Sequence, residues 1–166
     1  VTPAPFHSIR SLFLIACAAL LAACQSVPAT TGFTPAQIAV LQTAGFVDKG
    51  LNWELTMNER LLFAVDQSAL QSGQADQIAE LARNLSSVGI TTARVEGHTD
   101  STGTDAYNIT LSQARAQAVA APMQTNGMRF TADQIVGRGE SLPMSDNSTA
   151  DGRQDNRRVV VIVTPQ

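Results

Sequence analysis

The stretch Thr91-Thr92-Ala93-Arg94-Val95-Glu96, continued by Gly97-His98-Thr99-Asp100-Ser101 and then by Ala106 to Asn126, decides the fold. In the first six residues Thr91, Ala93 and Val95 alternate with Thr92, Arg94 and Glu96, the period of a strand with two distinct faces. The next five are polar and led by glycine, and beyond them the period becomes helical. The whole reads as strand, loop, helix. Pro122 falls inside that helix, where a missing N–H and a clash with the carbonyl of Ala118 cost about 3 kcal/mol, so a kink or an early end is expected.

Outward from this unit, Ile78, Leu81, Ala82 and Leu85 repeat at three and four residues, which predicts an amphipathic helix over Gln74 to Val88 closed by Gly89. Before it, Asn52 to Thr56 and Arg60 to Val65 read as strands around a Met57-Asn58-Glu59 turn, the second with Leu61, Phe63 and Val65 on one face. After the central helix, Thr131 to Gln134 suits a helical turn, Ile135 to Arg138 a strand, and Val159 to Thr164 a β-branched buried strand. The order is β-β-α-β-α-β-β. Strands separated by helices pair in parallel through crossovers while terminal strands pair antiparallel, so the expected class is α+β, an α/β sandwich with a mixed sheet and helices packed on one face.

The amino-terminal side has a different character. Leu12 to Ala23 is an uncharged apolar block, preceded by Arg10 and ending in Leu21-Ala22-Ala23-Cys24. It is shorter than the ~20 residues of a spanning helix and within the about 7–15 of a signal-peptide core. Gln25 to Phe33 is rich in Ser, Thr, Ala, Pro and Gly and reads as a tether. Thr34 then caps a helix with Pro35 at its first position and Gly45 as its stop. The expected divisions are a signal at 1–23, a tether at 24–33, a leader helix and first strand at 34–59, and the main domain at 60–166.

The 166 residues carry 11 Lys plus Arg against 14 Asp plus Glu, a formal net charge of −3. Nucleic-acid binding normally needs a basic surface, so no nucleic-acid partner is expected. Two cysteines and two histidines leave few metal ligands, and no cofactor is expected. A hydrolytic triad needs groups converging from separate elements, whereas His98, Asp100 and Ser101 sit within one loop, so no enzyme activity is expected. His98 is expected to make a loop-stabilising hydrogen bond. Arg153, Arg157 and Arg158 are expected to pair with Asp151 and Asp155.

The Leu-Ala-Ala-Cys ending resembles a bacterial lipobox. That resemblance implies cleavage before Cys24 and acylation of its thiol, with Cys17 lost in the signal and no disulfide possible. A multiply acylated cysteine holds a lipid surface at ~0.8 kcal/mol per buried CH₂. Gln25, where lipoproteins kept in the inner membrane often carry Asp, implies the outer membrane, facing the periplasm.

Gly97-His98-Thr99-Asp100-Ser101, Tyr107-Asn108, Leu111-Ser112, Arg115-Ala116 and Asn156-Arg157-Arg158-Val159 together resemble the OmpA-like peptidoglycan-binding domain, over roughly Leu61 to Val163. The resemblance implies a βαβαββ core and noncovalent binding of peptidoglycan through the diaminopimelate of its stem peptide. The free end of diaminopimelate is a zwitterion, and a site for it needs an anion and a cation held apart. Matched residue by residue, the ammonium falls to Asp100 and the carboxylate to Arg115. Thr99 and Asn108 position loop and ligand, Asp66 lines the pocket and Arg157 closes it. Gly32-Phe33-Thr34-Pro35-Ala36-Gln37-Ile38, Gly45-Phe46 and Trp53-Glu54 also resemble the leader of YfiB-type lipoproteins, which implies a second partner, a periplasmic repressor of a diguanylate cyclase, with the leader as the binding surface.

Overall fold

Gly97 and Gly137 lie side by side on paired strands, and each meets the backbone of one helix so closely that a side chain has no room. A Cβ on Gly97 would overlap the carbonyl oxygen of Ser112, and one on Gly137 would stand 2.5 Å from the amide nitrogen of Gln113. This contact anchors the architecture of the computed structural model, which describes residues 32–64 and 67–165. Cys24, most of the tether, Val65 and Asp66 lie outside the described residues.

The leader helix α1 spans Pro35–Thr43. Thr34 accepts the Gln37 N–H, the Gln37 amide oxygen accepts the Thr34 N–H, and the chain leaves through Gly45 at φ 84°. Strands β1 (Val47–Asp48) and β2 (Trp53–Asn58) follow, then one helical turn, α2 (Glu59–Leu62), and helix α3 (Gln74–Ser87). Strand β3 (Arg94–His98) leads into the long helix α4 (Asp105–Thr125). A 3₁₀ turn at Ala132–Gln134, strand β4 (Ile135–Gly137), helix α5 (Ala150–Asn156) and strand β5 (Arg158–Val163) complete the chain.

The sheet order is β1-β2-β5-β3-β4, with β3 parallel to β4 and the other pairs antiparallel. This is the mixed sheet expected from the alternation of strands and helices. Val95, Val159, Val161, Val163 and Trp53 face the core, where they meet Ile78, Ala82 and Leu85 of α3 and Ala116, Val119 and Met123 of α4. Leu41 of α1 and Phe46 belong to the same core. Among the described residues no helix is long and apolar enough to cross a membrane.

Four local expectations change. The strand expected over Arg60 to Val65 is replaced, in its described part, by a helical turn over Arg60 to Leu62: Asn58 accepts the Arg60 N–H at 2.9 Å and caps the turn, which buries Leu62 beside Phe63 and leaves Leu61 66% exposed. A single antiparallel bridge joins Phe63 to Leu70. Helix α4 continues past Pro122 to Thr125, so the proline does not end it early. The central strand begins at Arg94 instead of Thr91. Helix α5 and the two-residue β1 were not anticipated.

Replacing Gly97 by Ala should push α4 off the sheet and lower stability by about 2 kcal/mol or more, measured by urea unfolding. A variant of unchanged midpoint would show that the close approach is not required.

Candidate functional site

The loop between β3 and α4 opens onto a cavity of about 460 Å³ whose lining includes Thr99, Asp100, Asn108, Arg115 and Arg157. Five of the six side chains singled out by motif therefore meet in one place. The sixth, Asp66, lies outside the described residues, as does Cys24.

Local folding explains the convergence. The Asp100 carboxylate accepts the Thr102 N–H at 2.8 Å, which tightens the loop, and Thr104 caps α4 by accepting the Tyr107 N–H. Asn108 and Arg115 stand two helical turns apart on one face of α4. The Asn108 amide donates to the Asp100 carbonyl at 3.3 Å and to Glu140 at 2.7 Å. Thr99 is fixed by its backbone N–H to the Gly139 carbonyl, while its Oγ1 is buried without a hydrogen-bond partner among the described residues. Arg115 is buried under the ring of Phe63, 5.4 Å from its centroid, and donates through Nε to the Gln67 carbonyl at 3.1 Å.

The charges form a chain of alternating sign. Arg115 pairs with Glu59, Glu59 with Arg157 through Nε at 2.7 Å, and Arg157 with Asp100. Gln154 holds the remaining edge of Arg157 at 2.6 Å. Burial alone would raise the Asp100 carboxyl, but the hydrogen bonds from Thr102 and Arg157 outweigh it and hold the group below its usual range. Burial disfavours a charged Arg157, yet Asp100 and Glu59 together keep it more firmly protonated than in water.

Glu59 carries no sequence motif, and it is the residue that sequence reasoning missed. The signal for it was Asn58, a capping residue in front of an acidic first turn, a pattern that reads equally well as a hairpin turn. Arg157 does not pair with Asp151 or Asp155; Arg153 donates to the carbonyls of Asn147 and Ser148, and Arg158 to those of Asn156 and Leu142. These arginines hold loops to the domain through carbonyl groups. Phe46 and Trp53 of the leader are buried in the core, with Phe33 edge-on to Trp53 at 6.5 Å.

His98 points to the other face of the sheet, away from this cavity. Its Nε2 is 3.8 Å from Glu96, beyond hydrogen-bond range, and its Nδ1 has no partner among the described residues, so the expected loop hydrogen bond is absent there. Among the described residues no group of three His, Cys, Asp or Glu side chains could hold a metal ion.

The fold is that of a domain with a defined family. Residues 62–157 match the model of the OmpA family, more than half of the chain. The chain is 41% identical over 143 residues to the outer-membrane lipoprotein YfiB of Pseudomonas aeruginosa, covering 86% of this chain and 85% of that one. Among solved structures, the cell wall anchor of the type VI secretion system of P. aeruginosa superposes with a TM-score of 0.61 at 27% identity, over 79% of this chain and 95% of that one. The peptidoglycan-associated lipoprotein of Burkholderia pseudomallei gives 0.53 at 25% identity, over 63% and 88%. The chain belongs to the OmpA family.

Burial lowers the His98 pKa to about 4, with Arg158 adding to the shift and Glu96 opposing it. The unfolded chain therefore binds a proton near pH 6.5 that the folded chain refuses until about pH 4. Stability from this group is complete above pH 6.5 and declines across that window, by about 3 kcal/mol in total. Urea titrations from pH 7 to 4 should show a shallower loss for His98→Gln than for the wild type; equal slopes would remove His98 as the cause.

Proposed function

We propose that this chain is a lipid-anchored protein of the outer membrane, facing the periplasm, that binds peptidoglycan noncovalently through the zwitterionic end of diaminopimelate. The observation that carries the reading is the sequence of alternating charges in the cavity, Arg115, Glu59, Arg157, Asp100, of which all but Arg157 are buried. A ligand bearing one ammonium and one carboxylate replaces such internal pairs with pairs of its own at no net cost in charge. Asp100 takes the ammonium, Arg115 the carboxylate, and the unpartnered Thr99 hydroxyl supplies a further polar contact. Arg157, the most exposed member of the chain, closes over the ligand. The likeness to a cell wall anchor and to a peptidoglycan-associated lipoprotein points the same way. In this reading the lipobox at Cys24 supplies the membrane end through its acyl chains, and the likeness to an outer-membrane lipoprotein supports the outer membrane as its location.

A second role is favoured by the extent of the likeness to YfiB, which takes in the leader as well as the domain. In that role the protein is a signalling adaptor that captures a periplasmic repressor of a diguanylate cyclase. With Phe46 and Trp53 buried, the leader would offer the partner the exposed side of α1 and the adjoining groove, in which Ala44, Leu55, Met57 and Leu61 stand beside polar residues of α3. The two roles are compatible, because this groove and the charged cavity are lined by different residues.

A soluble Gln25 to Gln166 chain should cosediment with diaminopimelate-type peptidoglycan, and folded Asp100→Ala and Arg115→Ala variants should each lose at least about tenfold in affinity. Failure of the folded wild type to sediment would leave the adaptor as the principal role.

A further inference from the structure

Glu59 is 8% exposed and divides its two carboxylate oxygens between two arginines, Oε1 to Arg115 and Oε2 to Arg157. Its backbone N–H is held by the Arg157 carbonyl at 3.1 Å, and Asn58 caps the turn it begins. The side chain is thus fixed from both ends. Arg115 is 2% exposed, gives its Nε to the Gln67 carbonyl and its Nη2 to Glu59, and stacks on Phe63. A carboxylate arriving at Arg115 meets a guanidinium already paired with a carboxylate.

We propose that Glu59 occupies the place the ligand's carboxylate must take, so that binding is an exchange of one carboxylate for another and Glu59 sets the specificity of the site. The proposal rests on the zwitterion reading of the cavity. On displacement Glu59 keeps Arg157 as a partner, and Arg60 and Arg153 line the same cavity, so its charge has somewhere to go. The exchange has different consequences for different ligands. A zwitterion recovers the loss, because its ammonium pairs with Asp100 and the vacated side of Glu59. A simple anion must expel Glu59 and brings nothing for Asp100. A simple amine finds two carboxylates and has no need to expel either. Glu59 therefore excludes the many plain carboxylates of the cell envelope while admitting an amine-bearing one, and it does so by acting on the arginines, as a positioning residue.

The test is calorimetric titration of the full-length chain in detergent with three probes of equal carbon spacing: diaminopimelate, pimelate, which lacks both amines, and cadaverine, which lacks both carboxylates. In Glu59→Gln, diaminopimelate should bind about tenfold more tightly than in the wild type, pimelate should gain by more than that, and cadaverine should weaken. A merely structural role for Glu59 would weaken all three together. That pattern, or unchanged binding of all three, overturns the proposal. Removing the charge leaves the buried Arg115 guanidinium without a counter-charge, so folding is checked by circular dichroism. Glu59→Asp, which keeps the charge but draws it back by one methylene, should give the same order of effects at smaller size and carries the test if Glu59→Gln does not fold. A wild type that binds neither diaminopimelate nor peptidoglycan overturns the zwitterion reading itself, an outcome distinct from a wild type that binds and a variant that follows the structural pattern.

Discussion

Between α4 and the strands β3 and β4 there is no room for a methyl group, and the placing of Asn108 and Arg115 over the cavity follows from that closeness. Glycines at 97 and 137 let the helix backbone approach, and the contact is then locked by hydrogen bonds that only short distances allow. Gln113 clasps β4 from both sides, donating to the Ile135 carbonyl at 3.0 Å and accepting the Gly137 N–H at 2.6 Å. Ser112 accepts the Gly139 N–H at 2.9 Å. With α4 fixed against the sheet end in this way, Asn108 must lie beside the Asp100 loop and Arg115 must reach the start of α2. Larger residues at either glycine would move the cation relative to the anion, and the proposed zwitterion site depends on their separation.

The charge chain ties together four segments distant in sequence: the turn after β2, the loop after β3, the face of α4 and the end of α5. Buried ion pairs of this kind contribute little net stability, since desolvation offsets most of the attraction, but removing one member leaves a charge uncompensated at a cost of about 3–5 kcal/mol. Their effect is specificity of structure. Four segments can close on one another only in the arrangement that pairs every charge, so the cavity is organised before any ligand arrives. The same satisfaction sets a limit, because a ligand gains only the difference between its own pairs and those it replaces.

Much of this was legible in the sequence where a period or a motif persisted over several residues. Ile78, Leu81, Ala82 and Leu85 gave α3 to within a residue, and the strand, loop and helix around Asp100 placed five side chains that the fold brings into one cavity. Short elements were harder. The two residues of β1 are fewer than one alternation, and α5 contains Gly152, a weak helix former, held there because a Cβ would collide with the carbonyl of Asp146. Leu61, Phe63 and Val65 alternate as a strand does, yet the cap at Asn58 turns the chain into a helical turn and buries Leu62 with Phe63. Local capping outweighed a pattern three residues long. Glu59 was hidden for a related reason: its partners are 56 and 98 residues away, and no local spacing can announce them.

Under the proposed function, exchange within a closed charge chain and anchoring at Cys24 belong together. A site that must displace its own carboxylate cannot bind a single diaminopimelate tightly, but a protein held to the outer membrane meets a wall that repeats the ligand at high local density. Tethering converts each rebinding into an event at an effective concentration on the order of millimolar, and many anchored copies multiply the hold without any one site being strong. Weak single contacts also release quickly, which lets the wall be cut and extended beneath an attached membrane. On this view the internal pairing of Arg115 with Glu59 is no defect in the site. Under the proposed function it would keep each contact reversible and selective while a lipid anchor at Cys24 supplied persistence.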